Sequence, residues 1–289
     1  MLDTLTVSCA LRDTMARLAE AGVESPRLDA QLLLAWTLGA RREDLAREPE
    51  RALSQRERLI FEKAVSLRAG RRPLPYITGE QWFYGRAFKI NRAVLIPRPE
   101  TELLVEFAKE KACDWPESVR IADIGTGSGA IAVTLALEIP QADIWAVDIS
   151  PLALKVAEKN IRRHGVESRV RLVESDLLAG LGDKRFEIVV ANPPYVAPAD
   201  VASLMPEVRD YEPAIALYEG AGPDGTAMHG RILSEAKGAL IPGGWLAMEI
   251  GLGQAERVRQ IAVAFGYSEI TTIRDGAGLE RVVAARMNK

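Results

Sequence analysis

Five short apolar runs, near residues 119–124, 143–148, 169–174, 186–191 and 244–250, are separated by amphipathic segments long enough to form helices. Apolar runs of that length suit strands covered on both faces, and strands joined by helical crossovers pair in parallel. This pattern predicts an α/β fold with a largely parallel, doubly wound sheet. Two further strand-like segments, near 268–273 and 281–286, have no crossover of that length between them and are free to pair antiparallel.

The residues before this region have another character. Leu11, Met15 and Leu18 recur at helical steps, Ser25-Pro26 opens a segment carrying Leu28, Leu32, Leu33 and Trp36, and Gly39 closes it. A short helix over Arg41–Leu45 and an amphipathic one over Ser54–Ala69 follow, ended by Gly70. Residues 1–75 are thus expected to form a helical bundle, either packed on a larger partner domain or serving to dock a macromolecular substrate. From Pro73 the chain is read as a linker and β-hairpin over residues 76–100, with a turn at Asn91-Arg92 leading into Ala93–Ile96. Tyr76, Trp82, Phe83, Tyr84 and Phe88 crowd this stretch as a hydrophobic seam. Residues 101–289 make up the α/β domain.

With 37 basic and 40 acidic residues the net charge is -3, which argues against a protein that works mainly by wrapping nucleic acid. Cys9 and Cys113 lie far apart, and His164 and His229 are isolated and read as surface residues, so no metal site is expected. Asp3, Arg12, Asp13 and Arg17 interrupt any secretory segment, and no apolar run approaches the length of a membrane span. A cytoplasmic enzyme is expected.

After the first parallel strand comes Asp123-Ile124-Gly125-Thr126-Gly127-Ser128-Gly129, opening a helix near Ala130. Its glycines permit a tight turn and close backbone approach to a ligand, a feature shared by proteins that bind NAD, FAD or S-adenosyl-L-methionine. Asp148 ends the second strand, where a carboxylate accepts both ribose hydroxyls of an adenosine, or else caps the next helix. Asp176 follows the third strand, placed to take an adenine amine with Leu177 against the ring, or again to cap. No tyrosine–lysine pair or well-placed histidine offers the proton transfer that hydride chemistry needs, which favours a methyl donor over a dinucleotide. After the fourth strand comes Asn192-Pro193-Pro194-Tyr195. Two prolines stiffen this segment and remove backbone donors, leaving carbonyls beside one amide and one ring.

Asn-Pro-Pro-Tyr at this place resembles the motif of methyltransferases acting on planar nitrogens: adenine N6, cytosine N4 or a glutamine side-chain amide. Three further stretches narrow the resemblance. They are Leu95-Ile96-Pro97-Arg98-Pro99-Glu100-Thr101-Glu102, Arg72-Pro73 with Pro75-Tyr76-Ile77 and Gly79, and Met248-Glu249-Ile250-Gly251 with Gly253-Gln254. Together they look like the peptide chain release factor N5-glutamine methyltransferases, and the resemblance spans the chain. It implies a class I, seven-stranded, mostly parallel, Rossmann-like methyltransferase sheet, its last strand antiparallel, behind an N-terminal helical bundle that engages the substrate. It implies S-adenosyl-L-methionine as methyl donor, S-adenosyl-L-homocysteine as product and no metal. The implied substrate is the glutamine of the Gly-Gly-Gln motif in class-one release factors. Relatives often carry Asp-Leu-Ala-Gly-Arg-Asp-Arg where this chain has Asp275-Gly276-Ala277-Gly278-Leu279-Glu280-Arg281, a difference expected to fall in a surface turn.

On this reading Asn192 and the Pro193 carbonyl accept the two amide hydrogens, Pro194 aims that carbonyl, and Tyr195 packs its ring against the flat amide. Gly125, Thr126, Gly127, Ser128, Gly129, Asp148, Asp176, Leu177 and Asn192 hold the cofactor. The Arg98–Thr101 stretch lines the cofactor mouth, supports the motif loop, or serves as a rigid junction. Glu249 and Glu212 are read as supporting residues with no catalytic assignment. A monomer is expected, without membrane or stable nucleic-acid partners. One rival is a DNA adenine-N6 methyltransferase, which would flip its base into the same pocket. Against it, the stretch from Val196 to Thr226 holds Glu207, Asp210, Glu212, Glu219 and Asp224 with Arg209 as its basic residue. The other is a ribosome-associated binding protein that keeps the cofactor fold without turnover.

Overall fold

A computed structural model describes residues 5–288, so Asp3 lies outside the described residues. Two compact units result. The first takes the described residues through Gly79 together with Met205–Tyr211, and the second takes Glu80–Leu204 with Glu212 onward.

The first unit is helical. Thr6 caps α1 (Val7–Glu20) by accepting the Cys9 N–H at 3.3 Å, and Pro26 opens α2 (Pro26–Leu38), which Gly39 ends in the left-handed region at φ 62°. Ser54 and Glu57 cap each other at the start of α3 (Gln55–Ala69), a reciprocal box that satisfies two otherwise orphaned donors. Leu33, Leu34, Phe61 and Val65 meet in its core. The stretch after Pro73 is not a plain linker. It forms one more helical turn, α4 (Leu74–Thr78), because Pro75 falls in the first turn, where a missing N–H costs nothing.

Met205–Tyr211 joins this unit through buried charge. Arg68 lies between Asp29 at 2.6 Å and Glu207 at 2.9 Å, and Arg71 binds the two Glu207 oxygens at 2.7 and 2.6 Å. Burial pushes the Glu207 carboxyl up, but the bonds from Arg71 and Arg68 outweigh it and hold the group below the usual carboxylate range. Glu207→Gln is expected to cost about 1.5–3 kcal/mol, read from urea denaturation. The wild-type advantage exists above the unfolded glutamate pKa of about 4.3 and vanishes as pH falls through the lower folded value. An unchanged denaturation midpoint at neutral pH would rule the charge cluster out as a stabiliser.

In the second unit β1 (Glu80–Phe83) and β2 (Arg86–Lys89) form the hairpin. Its turn is Tyr84-Gly85, with φ of 50° and 70°, rather than Asn91-Arg92, and residues 93–96 form no strand. A type I′ turn needs both central residues left-handed, and tyrosine rarely obliges. Here the Tyr84 N–H donates to Glu102 at 2.7 Å, while its hydroxyl receives Lys109 at 2.6 Å and donates to Glu106.

Strands β3 (Val119–Ile124), β4 (Ala142–Asp148), β5 (Val170–Glu174), β6 (Phe186–Ala191), β7 (Leu240–Glu249), β8 (Ser268–Arg274) and β9 (Glu280–Arg286) form a seven-stranded sheet in the order β5-β4-β3-β6-β7-β9-β8. The antiparallel strand is β9, inserted between β7 and β8. Helices α5 (Glu102–Ala112), α6 (Ala130–Glu138) and α7 (Pro151–His164) pack on one face, and α8 (Ala227–Ala239) and α9 (Ala255–Ala264) on the other. Successive strand residues feed opposite cores: Ile121 faces the first set of helices, Ala122 and Ile124 the second. The two halves of the winding meet where β3 pairs with β6, and a crevice opens beyond the carboxyl ends of those strands. The 275–281 departure spans the β8–β9 turn and the first two residues of β9; in it Asp275 accepts the N–H groups of Ala277 and Leu279 and the Arg281 side chain, and Leu279 is exposed. No described helix is long and apolar enough to cross a membrane.

Candidate active site

A cleft of about 340 Å³ sits at that crevice, in the size range of small-molecule sites. Its floor is the loop after β3. Gly125 and Gly127 adopt φ of 73° and 54°, and both line the cleft with Thr126 and Ser128. Gly129 does not line it. Gly129 caps α6 at φ 77°, and a methyl group there would come within 3.2 Å of the Ala157 Cβ, so this glycine serves close packing of α6 on α7. Beneath the loop Asp123 is fully buried, accepting Thr126 Oγ1 at 2.6 Å and the Ala132 N–H at 3.2 Å. Burial pushes its carboxyl up to about 7, with Asp148 adding to the push.

Asp148 ends β4 on the cleft wall. Its Oδ2 accepts the Gly127 N–H at 2.8 Å and its Oδ1 the Ser150 N–H at 2.9 Å, so carboxylate and glycine loop are locked to each other. It caps no helix: Ser150 does that for α7. Burial raises its pKa and the two N–H bonds oppose the rise. Asp176 also lines the cleft, but is exposed and bonded to Arg231 at 2.9 Å. Leu177, at φ 49°, forms part of the wall. A non-glycine residue held in that region stores strain that local packing must offset, a pattern concentrated at ligand sites.

The fourth wall is Asn192, Pro193 and Pro194. Register explains their company. Ile124 pairs with Ala191, and Ala191 with Met248, so Asn192 leaves the sheet between the glycine loop and Glu249. The Asn192 Nδ2 donates to Thr101 Oγ1 at 3.2 Å, Thr101 donates to Glu249 Oε2 at 2.6 Å, and the Tyr195 hydroxyl donates to Glu249 Oε1 at 3.1 Å. Glu249 is 3% exposed, and burial raises its pKa against those bonds. Tyr195 is not among the residues lining this cleft; its hydroxyl turns back to Glu249.

Within the Arg98–Thr101 stretch, Thr101 borders the cleft and accepts the Asn192 amide. Pro97 also lines the cleft, while Arg98 pairs with the buried Glu212, which also accepts the Ile96 N–H at 3.2 Å. The Thr101–Glu249 link was not apparent from spacing, since its partners are 148 residues apart. The register of β6 on β7 brings Asn192 beside Glu249, but Thr101 reaches them from the turn before α5, which no strand pairing announces.

Neither histidine is an exposed surface residue. His229 is wholly buried with Nε2 on the Glu249 carbonyl at 2.8 Å, and the half-buried His164 meets the Ala87 carbonyl at 3.1 Å. Burial lowers the pKa of both, which suits neutral rings that a helix face can bury. Among the described residues no group of three or more His, Cys, Asp or Glu is arranged to hold a metal.

Comparison with known proteins adds family context. Residues 99–207 match the Methyltransferase small domain family, and residues 10–79 match the PrmC N-terminal domain. A release factor glutamine methyltransferase of Geobacter sulfurreducens is 42% identical over 282 residues, covering 98% of this chain and 97% of that protein. One from Moorella thermoacetica is 43% identical, covering 97% and 98%. A Pyrococcus furiosus methyltransferase structure superposes with a TM-score of 0.52 over 72% of this chain and 91% of its own, at 17% identity, a likeness of fold.

Proposed function

The chain belongs to the release factor glutamine methyltransferase family, and on that premise we propose the reaction it carries out. It transfers a methyl group from S-adenosyl-L-methionine to the side-chain amide nitrogen of the Gly-Gly-Gln glutamine of class-one peptide chain release factors, in the cytoplasm. The observation that carries this reading is the cleft itself, where an acid-anchored glycine loop faces Asn192 and Pro193 across one cavity. The unit containing α1–α4 is taken as the docking surface for the release factor.

The cofactor fits what the residues offer. Asp148 spends one lone pair of each oxygen on the Gly127 and Ser150 N–H groups and keeps others for a ribose diol. Ile149 and Leu177 provide apolar walls for a base, and Asp176 stands at the same end. When bound, S-adenosyl-L-methionine supplies a methyl group activated on a sulfonium. The chain's own work is positioning. Because Thr101 takes the Asn192 Nδ2, the Asn192 Oδ1 is left to accept one hydrogen of the glutamine amide. The Pro193 carbonyl, held extended by Pro194, accepts the other. Two acceptors fix the nitrogen and favour its pyramidal form, in which the lone pair is no longer shared with the carbonyl. Tyr195 supports this arrangement from behind through Glu249.

Asp148→Ala is expected to weaken S-adenosyl-L-homocysteine binding about 10- to 100-fold, the value of a hydrogen-bonded charge, measured by calorimetry. Unchanged affinity would remove Asp148 from the site. The decisive experiment for the reaction is labelled methyl transfer to purified release factor, to its variant lacking the Gly-Gly-Gln glutamine, and to adenine-containing duplex DNA. Label is expected on the first alone, and label on DNA but not on release factor would overturn the proposal.

A further inference from the structure

An asparagine side chain presents either an acceptor or a donor, depending on which way its amide is turned. Only one orientation suits a nucleophilic nitrogen that arrives with two hydrogens of its own. What selects that orientation at Asn192 lies behind it. Glu249 is 3% exposed and has both carboxylate oxygens facing hydroxyl groups, Thr101 at 2.6 Å and Tyr195 at 3.1 Å. An ionised carboxylate only accepts. Thr101 must therefore give its single proton to Glu249, and its oxygen can only accept from Asn192, whose Nδ2 lies 3.2 Å away. The amide is thereby turned Nδ2 inward and Oδ1 toward the cleft.

We propose that Glu249, acting through Thr101, is a positioning residue that sets the polarity Asn192 presents to the substrate nitrogen. This rests on the reading of Asn192 as acceptor for the glutamine amide. The logic resembles that of a buried aspartate choosing the tautomer of a catalytic histidine: the carboxylate touches no substrate, yet decides which face the reacting residue shows. A neutral Glu249, or a glutamine in its place, offers one donor and one acceptor, so Thr101 is no longer held as the donor and can meet an N–H or O–H instead. The hydroxyl is then free to turn its proton to Asn192, and the amide to flip and offer N–H groups where the substrate also has N–H groups.

The surroundings bear on the ionisation. Glu100 beside Thr101 opposes the charge on Glu249, and Arg281 on β9 favours it. Tyr195 on the motif loop faces it as a donor, and His229 on α8 meets its main-chain carbonyl. Burial raises the group, and the relay operates only above its pKa, so turnover is expected to fall on acidification at a pH above the ordinary glutamate value of about 4.3.

The test separates hydroxyl from shape. Thr101→Val keeps the volume and removes the relay, whereas Thr101→Ser removes a methyl and keeps it. Thr101→Val and Glu249→Gln are expected to lower kcat about 10- to 100-fold, the scale on which orienting partners behind a reacting side chain are felt. KM for release factor and affinity for S-adenosyl-L-homocysteine should change little. Thr101→Ser should restore most of what Thr101→Val loses, and the acidic limb of the kcat profile should be absent from Glu249→Gln. Thermal melting checks folding, and the Thr101 pair keeps the test alive if Glu249→Gln does not fold. Near-wild-type kcat in Thr101→Val, or equal loss in Thr101→Ser and Thr101→Val, would overturn the relay while an inactive Asn192→Ala left the underlying reading standing. An active Asn192→Ala would overturn both.

Discussion

Asn192→Ala is expected to lower methyl transfer to release factor about 100- to 1,000-fold, the effect of removing one preorganised polar contact from a transition state. The loss should fall on kcat. An amide nitrogen at rest shares its lone pair with the carbonyl and its hydrogens are weak donors. As the nitrogen attacks it gains positive charge, and those hydrogens become much stronger donors. An acceptor aimed at one of them is thus worth more in the transition state than in the ground state, the condition for raising kcat rather than tightening binding alone. The Pro193 carbonyl survives the substitution and should support residual turnover. Stability should change by only about 1 kcal/mol, because Asn192 spends one neutral hydrogen bond on the fold. Single-turnover transfer of a labelled methyl group, with calorimetric binding of S-adenosyl-L-homocysteine alongside, checks both halves. A variant that bound the cofactor product normally and still transferred at near-wild-type rate would remove Asn192 from the chemistry.

The sheet was legible because its central strands are rich in apolar residues and are stopped by residues that cannot continue them. Gly125 follows β3, Asp148 ends β4, and Asn192 with two prolines follows β6. The same stops build the site, since a doubly wound sheet gathers strand ends at one edge. What could not be read was set by partners distant in the chain. Tyr84 takes a left-handed turn position because Glu102, Glu106 and Lys109 hold it there, whereas local preference pointed to Asn91. Glu207 belongs with Arg68 and Arg71 across 139 and 136 positions, and no spacing rule connects them. His229 is a polar residue in an apolar core because a single carbonyl satisfies its Nε2. The support behind Asn192 falls in the same class: it needs register between two strands and the turn before α5, not a motif.

Packing between loops gives Gly225 a role that its sequence neighbourhood conceals. Gly225 lies just before α8 at φ 76°, and a methyl group there would overlap both the Tyr195 carbonyl oxygen and the Gln254 Nε2. Neither neighbour can yield cheaply. The Gln254 Nε2 donates to the carbonyls of Tyr195 at 2.9 Å and Asp224 at 3.2 Å, while its Oε1 accepts the Gly251 N–H at 2.8 Å. The side chain is a clamp with all its ends engaged. Gly225→Ala must therefore move the Tyr195 backbone, two residues beyond Pro193. A displacement of about 1 Å at a positioning group costs about 100-fold in rate, and that is the expected loss of turnover. Stability should drop by about 2–4 kcal/mol, from the left-handed penalty and the broken clamp together. Gly238→Ala is the matched control. Gly238 is exposed on α8, an added methyl meets nothing within 4 Å, and its φ is ordinary. It should gain about 0.5–1 kcal/mol and keep full activity. The glycine loop lies on other strands, so Gly225→Ala should still bind S-adenosyl-L-homocysteine. Loss of turnover with binding preserved would localise the damage to the motif wall, whereas wild-type turnover would mean that the Pro193 carbonyl needs no such bracing.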